Sequence, residues 1–573
     1  MKIAFADLTH TGYGISSQTF PLGAGMLAAQ LKDKHDVEVF KYPEDFSRKL
    51  EQHVPDMVCF TNYAWNNNIN KEYAKRIKDK APNIKILFGG PNTIENKPNY
   101  IDEYIPGEGE QVIKDYIENK PINNNRIKNL KELKSPYLTG IMDKFFDGKL
   151  MPLIESMRGC PFECTFCNTG NKYYNELHRF PIERTKKELE YIIEKTNVPN
   201  LCITDSNFGM FDEDIEIAKM IKESRNKKDY PKYLDVSTGK KINKISKVVN
   251  ILGGNMGFNV SSQSTDKEVT DSIKRYNIPL EKMKELAYIG KKLGANPCGE
   301  TILALPNDTR DKYFKTVSDM LDTGVNMVRC FHLIMSPGAE VSSKESREKY
   351  KLKTKYRNMA RTFGTYKLFG KEFSVFEKEE ICTGNDKMNF DDYIDGRMLG
   401  LTVETFYNNG ILEELITHLN NNNIKTSSLI KEIHNNINKN NKLSFIYNKF
   451  KKNIIEDIES SEVMKKGNVL YECRADIVFN HMPELHDIAF NSAKKLLHDD
   501  KIDKIHSHSL AKKINLLDTE GTYKCDNISY KHTHEQKKLL NDYINQYGSN
   551  LDGLGFILHK TFANNLYRKC TKN

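Results

Sequence analysis

The sequence predicts an α/β protein with a Rossmann-like, doubly wound parallel sheet, then a partial (β/α)6 TIM-type barrel, then a mainly α-helical C-terminal region. Short β-rich runs alternate with helical patterns over residues 1–134, and six further strand-plus-helix units follow over residues 150–340. Residues 341–573 show mainly helical patterns separated by Asn-rich turns. Alternation of strands and helices is typical of parallel sheets covered by helices. Six units are fewer than the eight of a closed barrel, which indicates an open one.

The length of 573 residues is too great for one hydrophobic core and indicates about three domains. We expect a first domain over residues 1–134 and a second over residues 135–340, made of a connector (135–149) and the barrel (150–340). The third covers residues 341–573. The connector combines turn-forming residues with aromatic ones, so we expect it to pack between domains.

The composition favours a soluble protein of the cytoplasm. Hydrophobic residues make up 38% of the chain, and no apolar run approaches the ~20 residues that span a bilayer. The chain begins with a β-strand pattern and not with a signal peptide. Most of the eleven cysteines are scattered singly, as in proteins of a reducing compartment. The net charge of +9 comes mainly from lysines interleaved with acids, which favours a solvated surface over a nucleic-acid interface.

The first region places glycine-rich turns after predicted strands. Gly89-Gly90-Pro91 follows the fourth strand, Ile84–Phe88, and Pro106–Glu110 opens a helix. Ligands of doubly wound sheets bind at the carboxyl ends of the strands. Glycines there let the backbone approach a bulky ligand closely, but they also suit tight turns, so both interpretations stay open at this point.

Three cysteines directly follow the first predicted strand of the barrel, Leu150–Met157. Cys160, Cys164 and Cys167 lie within eight residues, with spacings of three and two intervening residues. Structural zinc sites and fully protein-ligated iron–sulfur clusters normally take four protein ligands. Three thiolates suit a cluster that keeps one iron open for a substrate or cofactor. The alternatives are a zinc knuckle or three ordinary buried cysteines.

Polar residues end several later strands, where the core of a barrel would not need them. Asp205 and Asn207 follow the second strand, Gln263-Ser264 follow the fourth, and Glu300 lies within the fifth. Each alone could be a helix cap. Together, at the carboxyl ends where βα barrels carry their chemistry, they indicate ligand contacts.

These motifs resemble the radical S-adenosylmethionine (SAM) enzymes that carry a cobalamin (B12)-binding domain. The cysteine spacing with Phe166, the Gln263-Ser264 turn followed by Arg275, and the Glu300–Thr309 segment with Leu305 match the family's barrel motifs. The resemblance implies that Cys160, Cys164 and Cys167 hold a [4Fe–4S] cluster. It implies SAM contacts from Phe166, Asp205, Asn207, Gln263, Ser264, Arg275, Glu300 and Leu305. From the layout of the first domain it implies cobalamin contacts from Thr11, Gly12, Leu22, Gly23, Thr61, Asn62, Gly89, Gly90, Pro91, Gly107, Glu108 and Gly109.

The first domain departs from one motif of the family. Many cobalamin-binding domains carry Asp-x-His-x-x-Gly, whose histidine replaces dimethylbenzimidazole on cobalt. Here the first loop, Asp7-Leu8-Thr9-His10-Thr11-Gly12, lacks that spacing. We therefore expect His10 to be a loop histidine and not a cobalt ligand. The departure also leaves open that the domain has lost cobalamin.

The resemblance implies a methyltransferase. The cluster's electron would cleave SAM to a 5′-deoxyadenosyl radical, and methylcobalamin would supply the methyl group to an unactivated centre. The alternatives are a non-methylating cyclisation, ring contraction or rearrangement with the same cofactors, and a non-catalytic cobalamin or iron–sulfur sensor. A methylthiotransferase is disfavoured because no second cysteine triad precedes the motif.

The expected partners are a small-molecule or biosynthetic-intermediate substrate and a reductant such as flavodoxin or ferredoxin, with no nucleic acid and no membrane span. The C-terminal region is expected to close over the barrel mouth and help to select the substrate. Nothing in the sequence identifies that substrate.

Overall fold

The computed structural model describes residues 1–92, 97–459, 468–507, 509, 521–525 and 528–532. They form two compact units. The first contains Met1–Gly257, Ile334–Arg347 and Tyr356–Glu380. The second contains Phe258–Leu333, Glu348–Lys355 and the described residues from Ile381 onward. The domain boundaries expected from the sequence stay a prediction.

The first unit opens with a five-stranded parallel sheet of order β2-β1-β3-β4-β5. This confirms the doubly wound sheet. The order changes direction between β1 and β3, and such a switch point is where open α/β sheets bind ligands. The strands are β1 (Lys2–Ala6), β2 (Asp36–Phe40), β3 (Met57–Thr61), β4 (Lys85–Gly89) and β5 (Glu103–Ile105). The helices are α1 (Leu22–Leu31), α2 (Pro43–Gln52), α3 (Asn67–Lys80) and α4 (Gly109–Ile117).

Three strands of the predicted barrel follow in the same unit, in a sheet of order β10-β9-β6. All three pair in parallel, as the sequence predicts. A separate antiparallel pair, β7 with β8, brackets the cysteine loop. The strands are β6 (Leu153–Ile154), β7 (Met157–Arg158), β8 (His178–Arg179), β9 (Asn200–Phe208) and β10 (Tyr233–Thr238). The helices are α5 (Ile182–Lys195), α6 (Asp212–Lys228) and α7 (Ile242–Leu252).

The connector before these strands is held by its aromatic residues. Tyr137 and Phe145 are fully or almost fully buried, and the rings of both lie about 6 Å from that of Phe20. The Tyr137 hydroxyl donates to the carbonyl of Leu153 in β6.

The remaining three barrel strands form the sheet β11-β12-β13, so all six predicted strands are present in the predicted order. β12 and β13 pair in parallel. The strands are β11 (Gly257–Asn259), β12 (Asn296–Leu303) and β13 (Met327–His332). The helices are α8 (Lys267–Ser272), α9 (Leu280–Lys292), α10 (Arg310–Asp322) and α11 (Lys344–Lys349).

A long β-hairpin lies in the region where the sequence predicts mainly helices. Its strands are β14 (Lys353–Leu368) and β15 (Lys371–Gly384). Phe369 and Gly370 join them with φ angles of 51° and 76°, the left-handed pair that a tight two-residue hairpin turn requires. Tyr366, Leu368, Phe373 and Val375 pack into the hydrophobic core of the first sheet. The distal half of the hairpin therefore belongs to the first unit.

The rest of the C-terminal region is mainly helical, as predicted. The helices are α12 (Phe390–Phe406), α13 (Glu413–Asn421), α14 (Thr426–Asn436), α15 (Asn441–Glu459), α16 (Val469–Asn480) and α17 (Met482–Leu496). Two short strands, β16 (Gly521–Cys525) and β17 (Ile528–His532), pair antiparallel. The predicted helix His534–Tyr547 lies outside the described residues. Among the described helices, none combines the length and apolar character that crossing a bilayer requires.

Candidate functional site

The cysteine loop is folded around two glycines. Gly159 has a φ of +99°, and a Cβ there would lie 2.1 Å from the carbonyl oxygen of Glu176. A Cβ on Gly170 would lie 2.2 Å from the carbonyl oxygen of Cys164. The Cys160 amide donates to the Tyr174 carbonyl at 2.8 Å, which closes the loop. The backbone of this loop is therefore tightly wrapped.

None of the three cysteines of this loop forms a disulfide. Cys160 and Cys164 are buried and Cys167 is half-buried. The Asn207 side-chain amide, from the end of β9, donates to the Cys160 sulfur at 3.2 Å. In the described parts of the chain, no three His, Cys, Asp or Glu side chains are arranged around a single-ion site. The thiolates of a [4Fe–4S] cubane each bond a different iron and so lie farther apart than the ligands of one ion.

Asp205 supports the segment that enters the loop. Its carboxylate accepts hydrogen bonds from the amide of Ser156 at 2.8 Å and the amide of Met157 at 3.0 Å, and from the Ser156 hydroxyl. Burial raises the pKa of Asp205 to about 7, although these bonds act in the opposite direction. Asp205 thus fixes β7 against β9. Its predicted SAM contact, like that of the half-buried Phe166, stays a prediction.

A cavity opens between the first sheet and two of its helices. Its floor includes Phe5, Cys59 and Leu87, which are register partners on β1, β3 and β4. α1 and α4 contribute the opposite wall. Six of the predicted cobalamin contacts line it, namely Gly23, Thr61, Gly89, Gly90, Gly107 and Gly109. The wall is mainly apolar, so it suits a flat apolar group.

In the turn after β4, the backbone of Gly90 lies close to that of Asn62, and the Asn62 side chain holds a hydrogen-bond acceptor that is not used. Gly90 has a φ of +136°, and a Cβ there would lie 2.7 Å from the Asn62 carbonyl oxygen. The Asn62 side chain is fully buried, and its Oδ1 has no hydrogen-bond partner among the described residues. Its Nδ2 donates to the carbonyl of Asn92. An amide donor on a bound ligand would satisfy Oδ1.

The other predicted cobalamin contacts are placed differently. Leu22 begins α1 next to the cavity, and Pro91 follows Gly90. Gly12 packs against the hairpin, where its amide donates to the Phe363 carbonyl at 3.2 Å. The Thr11 hydroxyl donates to Glu44 at 2.5 Å. The Glu108 carboxylate is bonded to Arg126 at 2.7 Å.

His10 is fully buried, and both of its ring nitrogens are engaged. Nδ1 lies 3.1 Å from the Tyr366 hydroxyl and Nε2 lies 3.0 Å from Glu377 Oε1. The Glu377 carboxylate also accepts from the amides of Asn68 and Ile69 at the start of α3. The expectation that His10 is not a cobalt ligand agrees with these contacts, although its partners come from the unpredicted hairpin.

In the second unit, Gln263 combines backbone strain with an unsatisfied side chain. Its φ is +59°, unusual for a residue with a side chain. Its amide donates to the Glu300 carbonyl at 2.9 Å, and its carbonyl accepts from the amide of Ile302 at 3.0 Å. Gln263 is buried, and its Oε1 has no partner in the part of the chain that the structure describes. Strain held by such bonds is typical of ligand sites.

The structure brings further predicted SAM contacts together around Gln263. Ser261 donates to the Glu300 carboxylate at 2.7 Å, and Arg275 donates to the Ser261 carbonyl at 2.9 Å. Ser264 is buried beside them, and its carbonyl accepts from Asn277 at 2.6 Å. Leu305 lies in the turn after β12 and is fully buried. Gln263, Ser264, Arg275 and Glu300 thus form one hydrogen-bonded group.

Sequence reasoning missed the apolar wall of the cavity and the hairpin. The apolar lining residues are Phe5, Ala24, Leu27, Cys59, Phe60, Tyr63, Leu87, Phe88, Ile105 and Ile113. The apolar residues at every second position of β1, β3 and β4 could have indicated this wall, because side chains at positions i and i+2 of a strand lie on the same face of the sheet. No local signal connects the hairpin with His10, from which it is separated by more than half of the chain.

Two domain families match the chain. The B12 binding domain matches residues 14–117, and the radical SAM superfamily domain matches residues 154–320. The first match covers β2 to β5 and the helices α1 to α4 of the unit that carries the cavity, whereas β1 precedes it. The second begins before the cysteine loop and ends within α10, so it includes the three cysteines and all the predicted SAM contacts.

Two methyltransferases are similar in sequence to about half of this chain. The cobalamin-dependent radical SAM methyltransferase TokK of Streptomyces tokunonensis is 28% identical over an alignment of 340 residues, and the match covers 52% of this chain and 50% of that protein. The 2-(S-pantetheinyl)-carbapenam-3-carboxylate methyltransferase of Streptantibioticus cattleyicolor is 27% identical over an alignment of 341 residues, and the match covers the same shares, 52% and 50%. The chain thus spans about half the length of the curated relatives it matches.

A solved structure has a similar fold over most of the chain. The cobalamin-dependent SAM radical enzyme OxsB, with aqua-cobalamin and SAM bound, superposes with a TM-score of 0.51 and 13% identity. The match covers 90% of this chain and 83% of OxsB. At this identity the likeness concerns the fold alone. The chain thus combines a B12 binding domain with a radical SAM superfamily domain, the pair of domains that the resemblance in its sequence implies.

Proposed function

We propose that this chain is a cobalamin-dependent radical SAM methyltransferase that acts on an unactivated centre of a small molecule or biosynthetic intermediate. The observation that carries the proposal is the similarity, over about 340 residues, to two proteins named as methyltransferases. The match covers only about half of each relative's length, so the substrate of this chain is left open.

Cys160, Cys164 and Cys167 would hold the [4Fe–4S] cluster. The donor set suits it, since three thiols share one loop that two glycines keep tightly wrapped. When bound, the cluster supplies an electron that cleaves SAM, and cobalamin supplies a methyl group. The Asn207 amide would donate to the Cys160 thiolate, and the loop would keep water from the two buried sulfurs.

The first domain would hold cobalamin at the cavity. The residues fit the group in two respects. The apolar wall suits the dimethylbenzimidazole of cobalamin, and the orphaned Asn62 Oδ1 could accept from one of its side-chain amides. Gly89 and Gly90 would let backbone groups lie close to the corrin. Both ring nitrogens of His10 are engaged inside the protein, so His10 would not take part in binding cobalamin.

The second unit would hold SAM. Gln263 Oε1 could accept from a ribose hydroxyl, and Arg275 could pair with the SAM carboxylate. Glu300, fixed by Ser261, could accept from a hydroxyl or ammonium group. These assignments rest on the hydrogen-bonded arrangement of the four polar residues and on the orphaned oxygen.

Products of SAM test the reaction type. The reconstituted, anaerobically reduced protein would be supplied with hydroxocobalamin and with SAM that carries a labelled methyl group. A methyltransferase uses SAM twice, so both S-adenosylhomocysteine and 5′-deoxyadenosine should form, in near-equal amounts once a substrate is present. 5′-Deoxyadenosine without S-adenosylhomocysteine would move the assignment to a non-methylating reaction. Formation of neither product would favour the sensor.

A single substitution tests the SAM site. Gln263→Ala should weaken SAM binding about five- to two-hundred-fold, because loss of one buried polar contact costs ~1–3 kcal/mol. Gln52→Ala, the same change at an exposed end of α2, is the matched control. Equal affinity of Gln263→Ala and the control would remove Gln263 from the SAM site.

We also propose that this protein is cytoplasmic and that a flavodoxin or ferredoxin supplies the electron that reduces its cluster. The cluster must be reduced before it can act, and these small proteins are the usual low-potential donors for such clusters. The C-terminal helices are proposed to contribute to substrate selection.

A further inference from the structure

Five charged side chains connect the turn predicted to contact cobalamin with the loop predicted to hold the cluster. All five lie in the first unit. Four have side chains that are 11% exposed or less, and Glu155 is 23% exposed. The group, named here the ion bridge, consists of Glu108, Glu110, Arg126, Glu155 and Arg158.

Arg158 is the centre of the ion bridge. Its Nη2 donates to Glu110 Oε1 at 2.5 Å and to Glu155 Oε2 at 3.1 Å, and its Nε donates to Glu155 Oε1 at 3.1 Å. Its Nη1 lies 3.7 Å from Glu108 Oε2. One guanidinium thus contacts three carboxylates. In the chain, Arg158 immediately precedes Gly159 and Cys160.

Arg126 completes the bridge from the other side. Its Nε donates to Glu108 Oε1 at 2.7 Å, and its Nη1 donates to the carbonyls of Tyr173 and Glu176 at 2.9 and 3.0 Å. The Tyr173 hydroxyl also accepts from the Glu108 amide at 2.9 Å. Tyr173 and Glu176 belong to the segment that closes the cysteine loop. The Gly107–Glu110 turn is therefore tied to both the entrance and the exit of that loop.

The charges make the bridge cooperative. Three carboxylates share two guanidinium groups, so removal of either arginine leaves a buried excess of negative charge close to both loops. A buried charge without its partner is strongly unfavourable, and the local structure rearranges to expose it to water. Neither loop can move away from the other without breaking these pairs.

We propose that Arg158 is a positioning residue that couples the cobalamin-binding turn to the cluster loop through Glu108 and Glu110. The inference rests on the proposed function, because it takes Gly107–Gly109 as cobalamin contacts and Cys160–Cys167 as the cluster loop. The same arginine would then order the segments that bind the two cofactors.

The test uses Arg158→Met in the full chain, with hydroxocobalamin as the probe. Affinity for hydroxocobalamin should fall about ten- to a hundredfold, the range found when a group that supports a ligand is removed. Amide hydrogen exchange should become faster in residues 107–110 and 159–167 together. Arg158→Lys should give an intermediate effect, because an ammonium group cannot bridge several carboxylates as a guanidinium does.

Two further variants keep the result interpretable. Glu110→Gln changes no shape and should loosen the same two segments, so it replaces Arg158→Met if that variant fails to fold. Arg474→Met is the matched control, because Arg474 pairs with Glu404 at 2.5 Å and is only 3% exposed, but belongs to α16 in the second unit. It should leave hydroxocobalamin affinity and both segments unchanged.

The inference is overturned if Arg158→Met and Glu110→Gln bind hydroxocobalamin as the natural sequence does, or if only the cysteine loop exchanges faster. If the natural sequence binds no hydroxocobalamin, the proposed function fails instead. Amide hydrogen exchange of the two variants then tests the coupling without cobalamin. Faster exchange in residues 107–110 and 159–167 together supports the coupling, and faster exchange in only one of the two segments overturns it.

Discussion

At the scale of single residues, the shape of the cysteine loop depends on positions that carry no donor atom. Gly159 adopts a left-handed φ and has the Glu176 carbonyl in the place where a side chain would begin. Gly170 faces the Cys164 carbonyl in the same way. The sulfur atoms can be held in place only because these two positions have no Cβ.

Gly159→Ala should therefore lower the iron content of the reconstituted protein, because the methyl group forces the backbone on either side of Cys160 to move. Iron per chain and the visible absorbance of the cluster measure the effect. Gly294→Ala is the control, since Gly294 also has a positive φ, of +74°, but a Cβ there meets nothing within 4 Å. Equal iron contents in the two variants would contradict the tight loop.

Asp308 fixes the turn that carries Leu305. Its carboxylate accepts from the backbone amides of Thr309, at 3.0 Å, and of Ala304. Ala304 and Asn307 both have positive φ angles, of 64° and 62°. Burial raises the pKa of Asp308 to about 8. This carboxyl group therefore binds a proton over much of the neutral range.

This raised pKa predicts a pH dependence of stability. An unfolded aspartate titrates near pH ~3.9. Between about pH 4 and pH 8 the folded protein keeps a proton that the unfolded chain has lost, so the free energy of unfolding falls as the pH rises through this window. In Asp308→Asn, which has no such proton, the thermal midpoint should fall less between pH 5.5 and pH 8.5. An identical fall in both proteins would contradict the assignment.

At the scale of secondary-structure elements, the β14–β15 hairpin determines the surroundings of His10. Tyr366 supplies the partner of one ring nitrogen, and Glu377 supplies the partner of the other while capping the start of α3. Phe373 and Tyr366 pack against Tyr73 on that helix. The imidazole is therefore held by an element that is distant in sequence and close in space.

This arrangement predicts the spectrum of bound cobalamin. Electron paramagnetic resonance of the Co(II) form should show no axial nitrogen splitting from His10, because both of its ring nitrogens have partners inside the protein. His10→Ala should leave the spectrum unchanged. Splitting in the natural sequence that disappears in His10→Ala would show that the imidazole reaches cobalt.

The hairpin also marks the limit of prediction from this sequence. Strands β1 to β4, β9, β10, β12 and β13 could be predicted because each is a short β-rich run followed by a helical pattern. The cysteine loop and the polar strand ends could be predicted because they lie within a few residues of those strands. β14 and β15 contain lysines, glutamates and threonines with only partial alternation, so their strand character depends on packing against distant residues.

Sequence patterns indicate neighbouring side chains where these share a turn, and they do not indicate side chains that meet across the fold. Gln263 and Ser264 are neighbours in sequence and in space. Glu108 was predicted to contact cobalamin, but its carboxylate bonds Arg126, Ile127 and the ion bridge. No pattern along the chain indicates that Arg158, next to the cluster loop, would lie beside Glu110.

At the scale of the whole molecule, the excess of basic over acidic residues affects association. The formal net charge is +9, and long-range attraction to an acidic partner speeds the encounter at low salt. Flavodoxins and ferredoxins are acidic, so the proposed electron donors have the complementary sign.

Turnover supported by a flavodoxin should therefore decrease as the salt concentration rises, because ions screen the attraction over about 8–10 Å at physiological strength. Turnover supported by a small chemical reductant should change much less. The formation of 5′-deoxyadenosine measures both. A salt dependence that is the same for the two reductants would place the effect in the enzyme and not in its encounter with the protein donor.

The position of the hairpin in the chain also has a consequence for biosynthesis. The first sheet is complete once α4 has been made, yet Tyr366, Leu368, Phe373 and Val375 of its core are translated much later. At about 5–20 residues per second, the delay is on the order of ten seconds or more. During that time the nascent sheet exposes the apolar surface that these residues later cover, at Phe46 and Tyr73 among others. A ribosome-associated chaperone that shields this surface would therefore matter more for this protein than for one whose first domain is continuous in sequence.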